Sequence, residues 1–403
     1  MFEQVTLEEH ISTQKGFAFK SKWFIESGRK IVKVSDFTAD SVNANNLVNI
    51  SEELGNQYSR YSLSTGNVVI QTVGSWPSNP ASVVGKTIRI PKSVHGALLN
   101  QNAVKIIPNR TMQIGFLFYL LRCDDFKEYI IGTAQGAASQ ASITLESIKG
   151  YKFFLPDLNA QTAIAEYLEN YDNLIENNNR RIAILEDMAQ SLYREWFVNF
   201  RYPGHADNVD KDGNQKLIDS PLGQIPEGWA VKKFTDVVNY KTGKLNSNAA
   251  VADGDYPFFT CSRETFKTNT WSFDCECVLL AGNNANAIYP IKYFNGKFDA
   301  YQRTYVITEK NRSEITPSFL FYCLEIKLNQ LKNISTGTST RFLTKGILDN
   351  LDLLVPTSKL MSEFNSIVLN LLNSQGNLRK RNENLKKQRD MLLPKLISGQ
   401  IEL

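Results

Sequence analysis

Residues 159–197 read NAQTAIAEYLENYDNLIENNNRRIAILEDMAQSLYREWF. Steps of alternating four and three from Ile164 meet Leu168, Tyr171, Ile175, Asn178, Ile182, Leu185, Ala189, Leu192 and Trp196. All but Asn178 are apolar or aromatic, and no proline or glycine falls between Leu158 and Asn199. An apolar seam with this spacing, held over several heptads, predicts a coiled-coil helix over 158–198. About 40 residues at 1.5 Å each make a rod of roughly 60 Å. Asn178 is the kind of polar seam residue that sets register at some cost in stability. A rod of this length suits a spacer or an assembly element.

Two hundred positions further on, the same steps meet Phe364, Val368, Leu371, Gln375, Leu378, Asn382, Leu385, Arg389, Leu392 and Leu396. This second seam, in a helix predicted over 358–397, is more polar and depends more on its partner. The repetition reaches outward from the rods. FLFYLL at 116–121 returns as FLFYCL at 319–324, and YKFFLP at 151–156 as LDLLVP at 351–356. The order is domain, small-polar loop, strand, proline and long helix, twice over. A period this long is a duplicated module, not a solenoid. Two copies related by a pseudo-twofold would pack their rods antiparallel. Asn178 aligns with Leu378 and Ile182 with Asn382, so the polar seam positions are staggered between the copies, which sets register in an antiparallel pair.

Ahead of the first rod, residues 1–156 mix β-like runs at 30–34, 68–73 and 87–90 with a helix expected from Thr111 to Tyr129. The small-polar stretch GTAQGAASQAS follows at 132–142. Residues 201–228, with three prolines and four glycines, read as a looped connector. From Trp229 the pattern restarts: strands at 258–260, 278–281 and 304–308, a helix at 317–329, and STGTSTR at 335–341. The fold class is α+β: two pseudo-repeated α/β domains and two long antiparallel coiled-coil helices. The basic run Arg379–Arg381, Lys386, Lys387 and Arg389 reads as the solvated face of the second rod.

The chain has 403 residues with 42% hydrophobic and 21% charged side chains, enough for two or three folded domains. A net charge of +4 permits a nucleic-acid partner without demanding one. No apolar run approaches 18 residues and the acidic start MFEQVTLEEH does not read as a secretory signal, so the expected location is the cytoplasm. Cys123, Cys261, Cys275, Cys277 and Cys323 are odd in number and irregular in spacing, as for free thiols in a reducing compartment. Cys275-Glu276-Cys277 is not a zinc knuckle, and no metal site is expected. Asn208 to Asp219 imitates a calcium loop, but its twelfth position is Asp and Pro221 intrudes where a helix would follow. Phosphate-binding, dinucleotide, zinc-hydrolase and nucleophile-elbow motifs are all missing. His10, His95 and His205 are scattered, and no catalytic residues are assigned.

The positive signals are for binding. The small-polar loops offer Thr133, Gln135, Ser139 and Gln140 in the first copy, and Thr338, Ser339 and Arg341 in the second. Hydroxyls, amides and guanidinium groups suit base edges and phosphates. Lys15, Lys20 and Lys22 interleave with Phe17, Phe19 and Trp23, and Tyr301-Gln302-Arg303 has the same character, as phosphate contact and base stacking require. Lys241 and Lys244 flank Gly243 where Lys15 and Gly16 stand in the first copy. Asn283, Asn284 and Asn286 follow a strand and suit a major-groove reader. Ser75 completes the set of candidate DNA contacts.

These features resemble the specificity subunit of type I restriction–modification enzymes. The resemblance rests on LPDLNAQTAIAEYLENYDNLIENNNRRIAILEDMAQSLYREWF at 155–197, SPLGQIPEGW at 220–229 and LLPKLISGQIEL at 392–403. The opening P-x-L-x-x-Q-x-x-I-A-x-x-L, Pro156 through Leu168, is a specific marker, and so is IPEGW opening the second half. The second copy departs from it, with Leu360-Met-Ser-Glu-Phe364 lacking the glutamine and the Ile-Ala pair. The resemblance implies a target-recognition domain at 1–156, a conserved helix at 157–200, a connector at 201–228, a second recognition domain at 229–356 and a closing helix at 357–403. Each domain would read one half of a split DNA target, with the helices setting the gap. It further implies two modification subunits carrying S-adenosylmethionine and methylating adenine, and two restriction subunits carrying ATP and Mg2+ chemistry. This chain would itself hold no cofactor and would be nucleoid-associated when bound to DNA. The alternative is a coiled-coil protein–protein adaptor without sequence-specific DNA binding; retention on random DNA as strong as on any defined target would favour it.

Overall fold

The computed structural model describes residues 3–77, 83–137, 140–284, 288–335 and 341–403. The chain forms two compact units, Met1–Asn178 with Lys380–Leu403, and Asn179–Arg379. Each unit holds one α/β domain and one half of each long helix. Among the described residues, no helix is long and apolar enough to cross a membrane.

The long helices run Leu158–Phe197 and Ser358–Ile397, 40 residues each. Every seam position expected from the heptad pattern is buried or half-buried. The order of burial is the same in both copies, the half-buried members being Tyr171, Leu185 and Leu192 in one and Leu371, Leu385 and Leu392 in the other. In the first unit, Ile164 and Leu168 share a core with Leu393, Leu396 and Ile397. In the second, Tyr193, Trp196 and Phe197 share one with Leu360, Met361 and Phe364. Rising numbers on one helix meet falling numbers on the other, so the segments are antiparallel within each unit.

The stagger of polar seam residues has a concrete consequence. Asn178 Nδ2 donates to Asn382 Oδ1 at 2.8 Å, and both residues are buried. Their counterparts by the repeat are Leu378 and Ile182, also buried and wholly apolar. One unit therefore carries a polar pair where the other carries an aliphatic one. Asn178→Leu alone removes the donor to the buried Asn382 Oδ1 and is expected to cost about 1–3 kcal/mol. Asn178→Leu with Asn382→Ile, which copies the second unit, is expected to recover that loss in thermal unfolding.

Arg389, expected on a solvated face, is buried instead. Its guanidinium pairs with Asp172, whose other oxygen accepts the Tyr119 hydroxyl at 2.7 Å, and with Asp390 at 2.8 Å. The reason is its place on the seam, which outranks its charge once a carboxylate faces it. The equivalents of Asp172 and Arg389 are Leu372 and Ala189, again apolar. Arg379 stays exposed and pairs with Glu186 at 2.5 Å.

The two domains close in the same way. Glu3–Thr6 pairs antiparallel with Lys152–Leu155, and Ala230–Lys233 with Asp352–Val355, each tying the start of a domain to the strand before its long helix. The next residue is a fully buried anchor. The Leu7 amide donates to the Tyr151 carbonyl at 2.9 Å, and the Phe234 amide to the Leu351 carbonyl at 2.8 Å. The first domain's main sheet has the order 11–15, 103–108, 68–71, 87–89. The second has 238–242, 304–309, 273–281, 291–300, extended by 256–259 and 265–268.

Two expectations change. The helix expected over 111–129 is two helices, Ile114–Leu120 and Asp124–Gly132. Cys123 is extended between them, and the Leu121 carbonyl accepts from the buried Thr87 hydroxyl at 3.1 Å. Its counterpart runs unbroken over Pro317–Ile334. The connector is not a plain loop: Leu217–Ser220 and Gly223–Pro226 form a hairpin whose turn is held by Ser220 Oγ donating to the Gly223 carbonyl at 2.6 Å. In the calcium-loop imitation, Asp210 Oδ1 accepts the amides of Asp212 and Asn214 at 2.9 and 2.8 Å, closing a turn.

The helix entry explains the sequence marker and its departure. Gln161 is 1% exposed; its Oε1 accepts the Gln113 amide at 2.8 Å and its Nε2 donates to the Thr111 and Pro156 carbonyls at 3.0 and 2.8 Å. In the second copy Met361 takes this place, and its sulfur faces the Thr316 hydroxyl at 3.7 Å. A Cβ on Gly115 would come within 2.9 Å of the Ala165 methyl, so these helices approach as closely as small residues allow. The counterparts, Ser318 and Asn365, replace that contact with a hydrogen bond of 2.7 Å. The two copies keep the contact points and change their chemistry.

Candidate nucleic-acid interface

In each unit a turn between two strands is locked by the same backbone hydrogen bonds. The turns are Asn100-Gln101-Asn102 and Tyr301-Gln302-Arg303. The Asn100 amide donates to the Val32 carbonyl and the Tyr301 amide to the Phe259 carbonyl, both at 2.9 Å. The Gln101 amide donates to the Phe17 carbonyl at 2.9 Å and the Gln302 amide to the Leu245 carbonyl at 3.0 Å. Phe17 and Leu245 donate in return to the carbonyls of Leu99 and Ala300 at 3.0 and 3.4 Å. The Asn102 carbonyl accepts from Thr72 at 2.8 Å and the Arg303 carbonyl from Gly282 at 2.7 Å. Thr72 and Gly282 in turn accept from Ile143 and Leu343, both at 2.9 Å, which joins the small-polar segments to the frame.

Glycine is needed where the chain crosses beneath each turn. A Cβ on Gly16 would lie 1.9 Å from the Asn100 carbonyl oxygen, and one on Gly243 would lie 1.9 Å from that of Ala300. No side chain fits at either place. Their amides donate to the Ala103 and Thr304 carbonyls at 3.0 and 3.2 Å. The second copy holds one more residue, Lys244, between its glycine and the residue that pairs with the turn.

Around the first frame lies a groove of about 270 Å³, lined by Lys15, Gly16, Thr72, Gln101 and Asn102 among others. The paired strands Gln135–Ala137 and Gln140–Ser142 are attached to it, with Ala141 opposite Gly74 and Ser142 opposite Val73. Gln135 and Gln140 are exposed on that strand pair, and Ser75 lies half-buried beside it. Trp76 Nε1 donates to the Ala137 carbonyl at 2.9 Å, bracing the pair.

Around the second frame, Asn283 pairs with Phe342 and Asn284 with Arg341. Arg303 lies over the Phe342 ring at 5.4 Å, and Cys261 Sγ donates to the Arg303 carbonyl at 3.4 Å. Lys241, Lys244, Gln302, Arg303 and Arg341 are exposed, and Tyr301 is half-buried. This face is cationic, whereas the first is mainly amides beside Lys15. In the same sheet, burial pushes the pKa of the Lys292 ammonium down to about 8, while Lys292 Nζ donates to the Glu264 carbonyl at 2.7 Å and Thr265 Oγ1 at 3.1 Å.

Other candidates fall elsewhere. The aromatic part of the 15–23 run packs inward: Phe17, Phe19 and Trp23 lie with Tyr58 and Tyr61 in a satellite core, Phe19 buried and Phe17 and Trp23 half-buried. Burying these rings is worth more than exposing them to solvent. Lys20 and Lys22 remain exposed on a short turn, Lys20 Nζ lying 5.7 Å from the Trp23 ring centre. The Thr133 hydroxyl closes its own helix, donating to the Ile130 carbonyl at 2.9 Å. Ser139, Asn286, Thr338 and Ser339 lie outside the described residues. Sequence reasoning passed over Asn100, Gln101 and Asn102. Extending the repeat one step, so that Gln101 aligns with Gln302, would have found them.

The description "Type I restriction modification DNA specificity domain" belongs to a family model that matches residues 1–187 and 226–386. The chain is 30% identical over 183 residues to the type I restriction enzyme EcoDI specificity subunit of Escherichia coli, covering 44% of this chain and 40% of that protein. It is 25% identical over 328 residues to the MjaIX specificity subunit of Methanocaldococcus jannaschii, covering 75% and 73%. In structure it is similar to a type I restriction–modification S subunit from M. genitalium, with a TM-score of 0.59 at 15% identity, covering 98% of this chain and 96% of that one.

Proposed function

The chain belongs to the type I restriction modification DNA specificity family, and from that membership we propose that it is the DNA-reading subunit of such a system, recognising a split target with one half read by each domain. The observation that carries this is the pair of locked turns. One backbone frame occurs twice, and its exposed side chains differ between copies, as two readers of different half-sites require. Backbone-locked loops hold side chains in the fixed geometry that base-edge hydrogen bonds need. Lys15 in one unit, and Lys241, Lys244, Arg303 and Arg341 in the other, are suited to phosphates, which position a reader without carrying sequence information.

In this reading the chain is not itself an enzyme. Modification subunits would bring S-adenosylmethionine and methylate adenine, and restriction subunits would bring ATP-driven cleavage with Mg2+. The two long helices would set the gap between half-sites, and their outward faces would dock the modification subunits. Leu174, Ile184 and Met188, each about half exposed on the first helix, support a docking role.

Exchanging residues 1–156 for those of another specificity subunit tests the assignment. Genome-wide mapping of methylated adenines is expected to show one half of the target changed and the other retained. A change in both halves, or in neither, rejects one domain per half-site.

A further inference from the structure

Resting on that reading, we propose that Gln101 and Gln302 are the equivalent base-reading residues of the two domains and that both read adenine, at the same step of their respective half-sites. The turn that carries each glutamine is fixed on every side by backbone bonds. Six of these recur in the two copies: the amides of residues 100, 101, 16, 17, 72 and 143 match those of 301, 302, 243, 245, 282 and 343. The glycine beneath each turn stands where no other residue fits, so the turn cannot settle inward. Across this shared frame the flanking residues differ, Asn100 against Tyr301 and Asn102 against Arg303, while the central glutamine is retained. Both glutamines are exposed.

Retention of one side chain at the centre of two otherwise divergent turns needs a cause. The backbone does not supply it, because the frame uses only the main chain of residues 101 and 302. A glutamine carboxamide presents a donor and an acceptor together, which matches the N6 and N7 edge of adenine in the major groove. The flanks then read, or position against, the bases that distinguish the half-sites. Asn102, with φ of +69°, and Arg303, held over Phe342, aim different chemistry from the same place.

The test uses the full chain with its modification subunits, reading methylated adenines across the genome and binding to duplexes substituted at single positions. Wild type is expected to direct a bipartite target with an A·T pair at equivalent steps of the two halves. Gln101→Ala should relax that pair in one half only, and Gln302→Ala the corresponding pair in the other, with discrimination falling on the order of 10- to 100-fold. Gln302→Glu should shift preference at its step towards C·G, because a carboxylate accepts from cytosine N4. Unchanged thermal unfolding would establish that these exposed substitutions leave the fold intact. An unaltered target in folded Ala variants, or relaxation at a step that is not A·T, overturns the assignment while the half-site reading stands. A wild-type chain that directs no bipartite methylation overturns the reading itself.

Discussion

Inserting one heptad after Asn178 and another after Arg379 is expected to lengthen the unspecified gap of the DNA target by about three base pairs. Seven residues add about 10 Å of helix, and each base pair occupies about 3.4 Å. A whole heptad keeps the seam in phase, so Ile164 and Leu168 still share a core with Leu392 and Leu396 in the first unit. The chosen points fall where the helix halves pass from one compact unit to the other. Added length then disturbs neither the Asn178–Asn382 pair nor the Glu186–Arg379 pair. An insertion in one helix alone leaves the other seven residues short, and a packed seam must open in one unit. Loss of several buried Leu- and Ile-sized contacts, at about 2–5 kcal/mol each, is expected to abolish assembly. Binding to a series of duplexes differing only in gap length is the measurement. An unchanged preferred gap after the matched insertion would exclude the helices as the ruler.

The second large effect is expected at Gln161. Gln161→Leu keeps the apolar stem and removes one acceptor and two donated bonds at a site almost closed to water. The Gln113 amide and the Thr111 and Pro156 carbonyls lose their partners together. A group stranded away from water costs about 1–3 kcal/mol, less at the exposed Thr111, which with partial relaxation brings the sum to about 3–5 kcal/mol. Met361→Leu at the equivalent place exchanges one apolar side chain for another and is expected to cost less than about 1.5 kcal/mol. Urea unfolding of the two variants checks the contrast. Equal losses would mean that the Gln161 carboxamide contributes little beyond its volume.

The departure at Met361 shows how far the sequence could be read. Loss of the glutamine and of the Ile-Ala pair left the second helix entry less marked, yet the helix starts at Ser358, level with Leu158. Thr316, Ser318 and Asn365 supply other contacts at the same points. Those substitutions lie far apart in the chain and have no local signature. Arg389 is a similar case. Its seam position argued for burial and its charge for solvent, and only the facing Asp172 and the Tyr119 hydroxyl decided between them.

The sequence by itself determined the two long helices, nearly to the residue, together with the duplication and the family. Heptad spacing, proline placement and recurrent short runs are local properties, legible without knowing what packs against what. Tertiary structure alone decided which polar seam residues meet, because Asn178 and Asn382 become neighbours only when the helix segments run antiparallel. It alone brought Gly16 beneath Asn100 and Gly243 beneath Ala300, and so revealed Gln101 as the counterpart, in the other unit, of the already suspected Gln302. Those turns are built from short strands whose partners lie tens of residues away. Their backbone hydrogen bonds carry no side-chain signature except the glycine that must be absent a Cβ.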